Sequence, residues 1–234
     1  MKYGHFDDEL KEYVIDTPYT PLPWINYLAG DGFFSIISNT AGGYSFYRDA
    51  KLRRITRYRY NSPATDNGGR YFYITDGETT FSPAFLPSKT PLDSYKCRHG
   101  LNYTVFESSK NKIMTELTCF VPQKDAMEIN LLKIRNESDR TRKFSVYGGV
   151  EFCLWNAQDD TTNFQRNYNT GEVEIVTDKN YGAVYHKTEY RERRNHYAFF
   201  SLNSPIDGYD PDRDTFLGKF NGFDAPEAVR LGTS

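Results

Sequence analysis

Hydrophobicity in this 234-residue chain has a period of two. Ile113, Leu117, Cys119 and Val121 alternate with polar residues, and RYFYIT at 70–75, FFSIIS at 33–38, residues 183–187 and residues 197–202 read as further strands. Lys143 to Trp155 reads as one long strand with Phe144, Val146, Val150, Phe152 and Leu154 on its apolar face. Between 126 and 136 the apolar phase flips from Leu131 to Leu132, which predicts a bulge or a change of face. Turn signals are dense, with DNGG at 66–69, DG at 76–77, NTG at 169–171, DG at 207–208 and NG at 221–222. No window keeps a 3.6-residue apolar period through three turns. Such a chain is expected to be all-β, a single large antiparallel β-sandwich. The last fifteen residues, FNGFDAPEAVRLGTS, read as a loop with no closing strand, so the sandwich is expected to continue past Ser234.

The densest chemistry lies between Asn39 and Tyr60, where a glycine pair, five aromatic rings and six basic side chains share 22 residues. Gly42 and Gly43 permit positive φ or a close backbone approach. The basic side chains could serve nucleic acid, a phosphorylated substrate, a hydroxyl-rich sugar or an acidic neighbour, or form a solvated strand face. A formal net charge of −2 argues against general nucleic-acid binding, so the basic cluster needs a local explanation. Aromatic residues at 16% combined with a mean hydropathy of −0.71 fit a protein that handles carbohydrate, because sugar C–H faces stack on rings and hydroxyls need polar partners.

Cys97, Cys119 and Cys153 are three cysteines with no short spacing, which reads as reduced thiols in the cytoplasm. No signal peptide, membrane span or metal motif is evident. The sequence lacks the GxSxG, Walker A, HExxH and GxGxxG patterns, and its four histidines are scattered and read as structural. DGYDPDRD at 207–214 fails the EF-hand register at Thr215 and Asn221 and reads as a turn with Asx caps. Asp159 and Asp160 read as adjacent loop carboxylates, a geometry unable to flank a glycosidic bond. NFQRN at 163–167 places amides, a guanidinium and a ring after a strand end, suited to sugar hydroxyls or to turn capping. KTEYRERRNH at 187–196 reads as a solvated or interface-facing charged run.

Longer segments carry a resemblance. KYGHFDD near the start, TPLPWINYL at 20–28, ISNTAGGYSFYRDAKLRRITRYRY at 37–60, GGRYFYI at 68–74, SYKCRHGLNYT at 94–104, VEFCLWNAQDDTTNFQRN at 150–167 and YHKTEYRERRNHYAF at 185–199 resemble, in order, the N-terminal domain of the cellobiose phosphorylases. These belong to the inverting glycoside phosphorylases of glycoside hydrolase family 94. Chitobiose phosphorylases resemble the chain at its start and around AGGYSFY, whereas FCLWNAQDDTTNFQRN is similar to the cellobiose enzymes and not to the chitobiose ones.

The resemblance implies a galactose-mutarotase-like super-sandwich over residues 1–234. A linker, an (α/α)6 catalytic barrel and a C-terminal sheet would follow in a homodimer. It implies cleavage of cellobiose by inorganic phosphate as co-substrate, to glucose and α-glucose 1-phosphate with inversion, and no cofactor. Phosphate is the nucleophile, and the general acid, an Asp, is expected in the barrel, so no catalytic residue is expected here. By the same resemblance Gln165 and Arg166 bind acceptor glucose, and the loop from Gly42 and Gly43 to Tyr47 and Arg48 reaches the partner subunit's active-site entrance. Two other readings remain open: a non-catalytic carbohydrate-binding β-sandwich module, and a nucleic-acid binder using the basic stripe.

Overall fold

The computed structural model describes residues 2–59, 66, 68–164, 172–177, 182–187 and 197–232. In chain order its strands are β1 (Gly4–Asp7), β2 (Glu12–Ile15), β3 (Ile25–Gly30), β4 (Phe33–Ser38), β5 (Gly43–Tyr47), β6 (Arg54–Thr56), β7 (Arg70–Thr75) and β8 (Thr80–Phe81). There follow β9 (Ser94–Gly100), β10 (Tyr103–Lys110), β11 (Ile113–Phe120), β12 (Ile129–Asn136), β13 (Ser145–Val150) and β14 (Phe152–Trp155). Helix α1 (Ala157–Thr162), strands β15 (Glu172–Thr177), β16 (Gly182–Lys187) and β17 (Tyr197–Leu202), and helices α2 (Arg213–Leu217) and α3 (Glu227–Leu231) complete the order.

The strands form a six-stranded sheet in the order β1-β2-β9-β10-β11-β12 and a five-stranded sheet in the order β14-β6-β5-β4-β3. Two three-stranded sheets, β13-β7-β8 and β15-β16-β17, accompany them, and every pairing is antiparallel. The main core joins Ile15, Cys97, Phe106 and Leu117 of the six-stranded sheet to Leu28, Phe33 and Ile37 of the five-stranded one, and Phe72 of β7 belongs to the same cluster. This is the expected all-β sandwich. Its alternation is cleanest in β11, where every second residue from Ile113 is buried.

Three expectations need correction. The run from Lys143 to Trp155 is two strands: β13 pairs with β7 and β14 with β6, so the chain changes sheets at Glu151. A single apolar face therefore does not persist; Val146 is half exposed, whereas Tyr147 packs toward Tyr71 and Tyr73, and Cys153 is buried. No bulge interrupts β12, whose register against β11 runs unbroken from Ile113↔Asn136 to Phe120↔Ile129. Leu132 packs into the core and Leu131 lies exposed on the other face of this strand.

The segment after Phe220 is also more than a loop. Ala228 and Val229 of α3 are buried, Tyr71 stacks on Phe223 with centroids 4.3 Å apart, and the Tyr73 hydroxyl donates to the Phe223 carbonyl at 2.7 Å. A five-residue helix is too short to display an apolar period in sequence. Asp212 caps α2 by accepting from the Thr215 amide at 2.8 Å, which agrees with the Asx-cap reading of that turn.

Candidate functional site

The basic, aromatic stretch divides into a buried end and an exposed end. Residues from Asn39 to Ser45 are all buried, because the β4–β5 turn folds into the sandwich. A Cβ on Gly42 would collide with Asp66, and one on Gly43, at φ +134, would collide with the Ile36 carbonyl. Gly42 and Gly43 are thus required by close internal packing. Tyr47 and Arg48 lie at the other end of β5, about 13 Å away by strand rise, with Tyr47 half-buried and Arg48 exposed. The single loop expected from Gly42 to Arg48 is a strand with two unlike ends.

Behind the glycines sits a polar centre that sequence reading missed. The Asp66 carboxylate accepts hydrogen bonds from Ser38, from Thr40 at 2.7 Å and from the Tyr58 hydroxyl at 3.1 Å. Burial raises its pKa, and these three hydroxyls together with the Arg70 charge only partly oppose that. Beside it Arg70 grips Glu128 with both ends of its fork, Nε to Oε1 at 2.6 Å and Nη2 to Oε2 at 2.7 Å. Ser35 and Ser45 also donate to Glu128, at 2.6 and 3.0 Å. Burial pushes the Glu128 carboxyl up, but the Arg70 charge and these hydrogen bonds prevail and hold it below the usual range. A cavity of about 10 Å³ between Thr40, Gly42, Asp66 and Arg70 has room for one water and none for a sugar. Both carboxylates are engaged by internal partners.

The second assembly lies where β14 gives way to α1. Trp155 adopts φ +78, a conformation rare for a bulky residue, and turns the chain out of the sheet. Asn156 then caps α1 by accepting from the Asp159 amide at 3.0 Å, and the Ala157 amide donates to the Lys51 carbonyl at 2.8 Å. Asp159 and Asp160 therefore sit in a helix and not in a loop. Asp160 is buried and bound by Arg57, with Nη2 to Oδ1 at 2.7 Å and Nε 3.0 and 3.1 Å from the two oxygens, while Arg59 Nε lies 3.6 Å away. Glu151, at the sheet change, accepts from Arg57 and Arg213, each at 3.4 Å, and from the Tyr71 hydroxyl at 3.2 Å. Burial pulls the Arg57 pKa down, but Glu151 and Asp160 outweigh it and leave it raised. The helix ends at Asn163, whose amide donates to the Asp159 carbonyl at 2.8 Å, and Phe164 follows, largely exposed. Gln165 and Arg166 come next in the chain and lie outside the described residues.

Arg54 is buried over the Tyr44 ring at 3.6 Å, and Arg57 and Arg59 reach Asp160, so much of the basic stretch serves internal contacts. His99 contacts Thr104 at 3.0 Å and the Trp24 carbonyl at 3.1 Å, and burial lowers its pKa. The three cysteines are buried and unlinked. Among the described residues no three His, Cys, Asp or Glu side chains are placed to hold a metal ion, and no helix is long and apolar enough to cross a membrane.

With this geometry in place, the sequence matches the glycosyl hydrolase 94 supersandwich domain over residues 11–234. The chain belongs to this family. A similar relative of the supersandwich chain is the N,N'-diacetylchitobiose phosphorylase of Vibrio furnissii, 37% identical over 99% of this chain and 29% of the relative. The 3-O-beta-D-glucopyranosyl-beta-D-glucuronide phosphorylase of Paenibacillus borealis is 30% identical over 98% of this chain and 28% of its own length. The solabiose phosphorylase of the same organism is 28% identical over 98% of this chain and 30% of its own. The chain thus spans less than a third of the length of these curated relatives. Similarity to a chitobiose phosphorylase extends along nearly the whole chain, well beyond the two segments expected from sequence.

Proposed function

We propose that this chain is the N-terminal domain of a cytoplasmic cellobiose phosphorylase, serving to complete the substrate site and to form a homodimer. The carrying observation is the supersandwich match over 11–234, joined to relatives that are disaccharide phosphorylases. The run FCLWNAQDDTTNFQRN supports cellobiose as the disaccharide. In the reaction, inorganic phosphate attacks the anomeric carbon and a general acid protonates the leaving glucose oxygen, which yields α-glucose 1-phosphate with inversion.

By the resemblance that acid lies in a barrel, and the carboxylates of the two buried assemblies are engaged in internal contacts. Asp160, Glu151 and Glu128 are held by arginines and Asp66 by three hydroxyls. Gln165 and Arg166 bind acceptor glucose in this reading, carried by the chain that leaves α1, and Arg166 offers a planar fork for two sugar oxygens. Tyr47 and Arg48 complete the partner subunit's site from the exposed end of β5. Exposed Arg48 and Phe164 are compatible with these roles.

The deciding experiment compares phosphorolysis of cellobiose and N,N'-diacetylchitobiose by the full-length protein. Glucose 1-phosphate released from cellobiose supports the proposal; turnover of diacetylchitobiose alone favours the activity of the 37% identical relative. The isolated 234-residue protein is expected to release none, and release would overturn the domain assignment. Arg166→Ala is expected to weaken acceptor glucose by about 1–3 kcal/mol, and an unchanged acceptor KM would remove Arg166 from the site.

A further inference from the structure

Arg48 differs from its inward-turned neighbours Arg54 and Arg57. It is exposed, its backbone has φ +61, and its guanidinium stands 4.9 Å from the centroid of the Tyr47 ring. This cation–π contact uses the charge of the guanidinium and none of its N–H donors, so the fork is held beside the ring with its hydrogen-bonding capacity unspent. Among the described residues, no hydrogen bond or ion pair from this side chain is seen.

The arrangement depends on the turn between β3 and β4. Gly32, at φ +78, accepts the Arg48 amide at its carbonyl at 2.7 Å. A Cβ added to Gly32 would stand 3.2 Å from Arg48 Cγ, from Arg48 Nε and from Tyr47 Cε2. These separations are shorter than ordinary carbon contacts of about 3.5–4.0 Å. Tyr47 is tied into β5, opposite Phe33, so the exposed arginine is the group able to give way.

We propose that Gly32 is a positioning residue: by lacking a side chain it lets Arg48 rest over the Tyr47 ring, with its N–H donors free for the oxygens of a disaccharide held by a second copy of the chain. This rests on the reading that Tyr47 and Arg48 complete the partner's site. Pre-orientation of the fork reduces the ordering cost of binding, so its loss belongs in KM more than in kcat.

The test uses the full-length phosphorylase with Arg48→Ala, Gly32→Ala, the double variant and Gly77→Ala. Gly77 also has positive φ, +91, but an added Cβ there meets nothing within 4 Å, so this variant isolates backbone strain from displacement. Arg48→Ala is expected to raise the disaccharide KM about five- to tenfold and Gly32→Ala about two- to threefold, because its Cβ shifts Arg48 without removing it, each with kcat within about twofold. Gly77→Ala should leave KM unchanged. In the Arg48→Ala background Gly32→Ala should add nothing, because its effect runs through the missing side chain. Should Gly32→Ala not fold, Gly32→Asn carries the same Cβ on a residue that tolerates left-handed backbone, and gives the same readout. An unchanged KM for Arg48→Ala ends the reading of Arg48 and the role of Gly32 with it. A raised KM for Arg48→Ala but not for Gly32→Ala, or a further rise in the double variant, overturns the role of Gly32 alone.

Discussion

Arg70 with Glu128 and Arg57 with Asp160 are both buried arginine–carboxylate pairs, yet they are organised differently. The first is closed: two bridging hydrogen bonds, two serine hydroxyls and the Ala41 carbonyl surround charges that are 3% and 9% exposed. It lies inside the sandwich and ties β4, β5 and β7 together. The second is open: three arginines, Arg57, Arg59 and Arg213, share Asp160 and Glu151, and the assembly sits where the chain leaves the sheets for α1. A closed pair fixes strand packing. An open network holds a short helix against the sheets.

Breaking the closed pair should have the largest effect. Glu128→Gln leaves Arg70 buried without a counter-charge and is expected to cost about 3–5 kcal/mol in urea unfolding. Asp160→Asn removes one anion from a network that retains Glu151, and should cost about 1–3 kcal/mol. If Asp160→Asn proves as damaging as Glu128→Gln, the distinction between closed and open pairs fails.

The smallest change is expected at Asp66, and its value lies in the pH dependence. Burial raises the Asp66 carboxyl above its ordinary 3.8, so the folded chain keeps that proton longer than the unfolded chain does. Its contribution is full below 3.8 and is lost as pH rises through the folded value. Glu128 is the converse: burial would raise it, Arg70 holds it below 4.5, and its contribution is full above 4.5 and lost as pH falls through the lowered folded value. Asp66→Asn should shift stability by no more than about 1 kcal/mol near neutral pH and remove the decline on the rising side. Glu128→Gln should remove the loss on the acid side. Unfolding midpoints measured across the acid range check both, and identical pH profiles for the two variants would contradict these opposite shifts.

Strands β4, β7 and β17 were legible to the residue, because a short run rich in aromatic and β-branched residues is local information. The break at Glu151 was not, since each half alternates correctly and only the choice of partner, β7 or β6, separates them. Helix α1 was read as a loop because six residues show no apolar period and its cap, Asn156, suits a turn equally well. Asp66 was read only as the start of the DNGG turn, and Glu128 was passed over. Most of their partners lie far along the chain.

Alternation and turn residues by themselves determined the class of this protein, an antiparallel sandwich, and the ordered run of motifs carried its likeness to the phosphorylases. Tertiary structure decided what the glycine-rich, arginine-rich stretch is. It buried Gly42 and Gly43 against Asp66, turned Arg54 and Arg57 inward, and left Arg48 on Tyr47 at the far end of β5. The physical reason is separation: Ser38 meets Asp66 across 28 residues, Arg70 meets Glu128 across 58 and Arg57 meets Asp160 across 103. Local pattern selects strands, but the partner of a buried charge is chosen only when the sheets close.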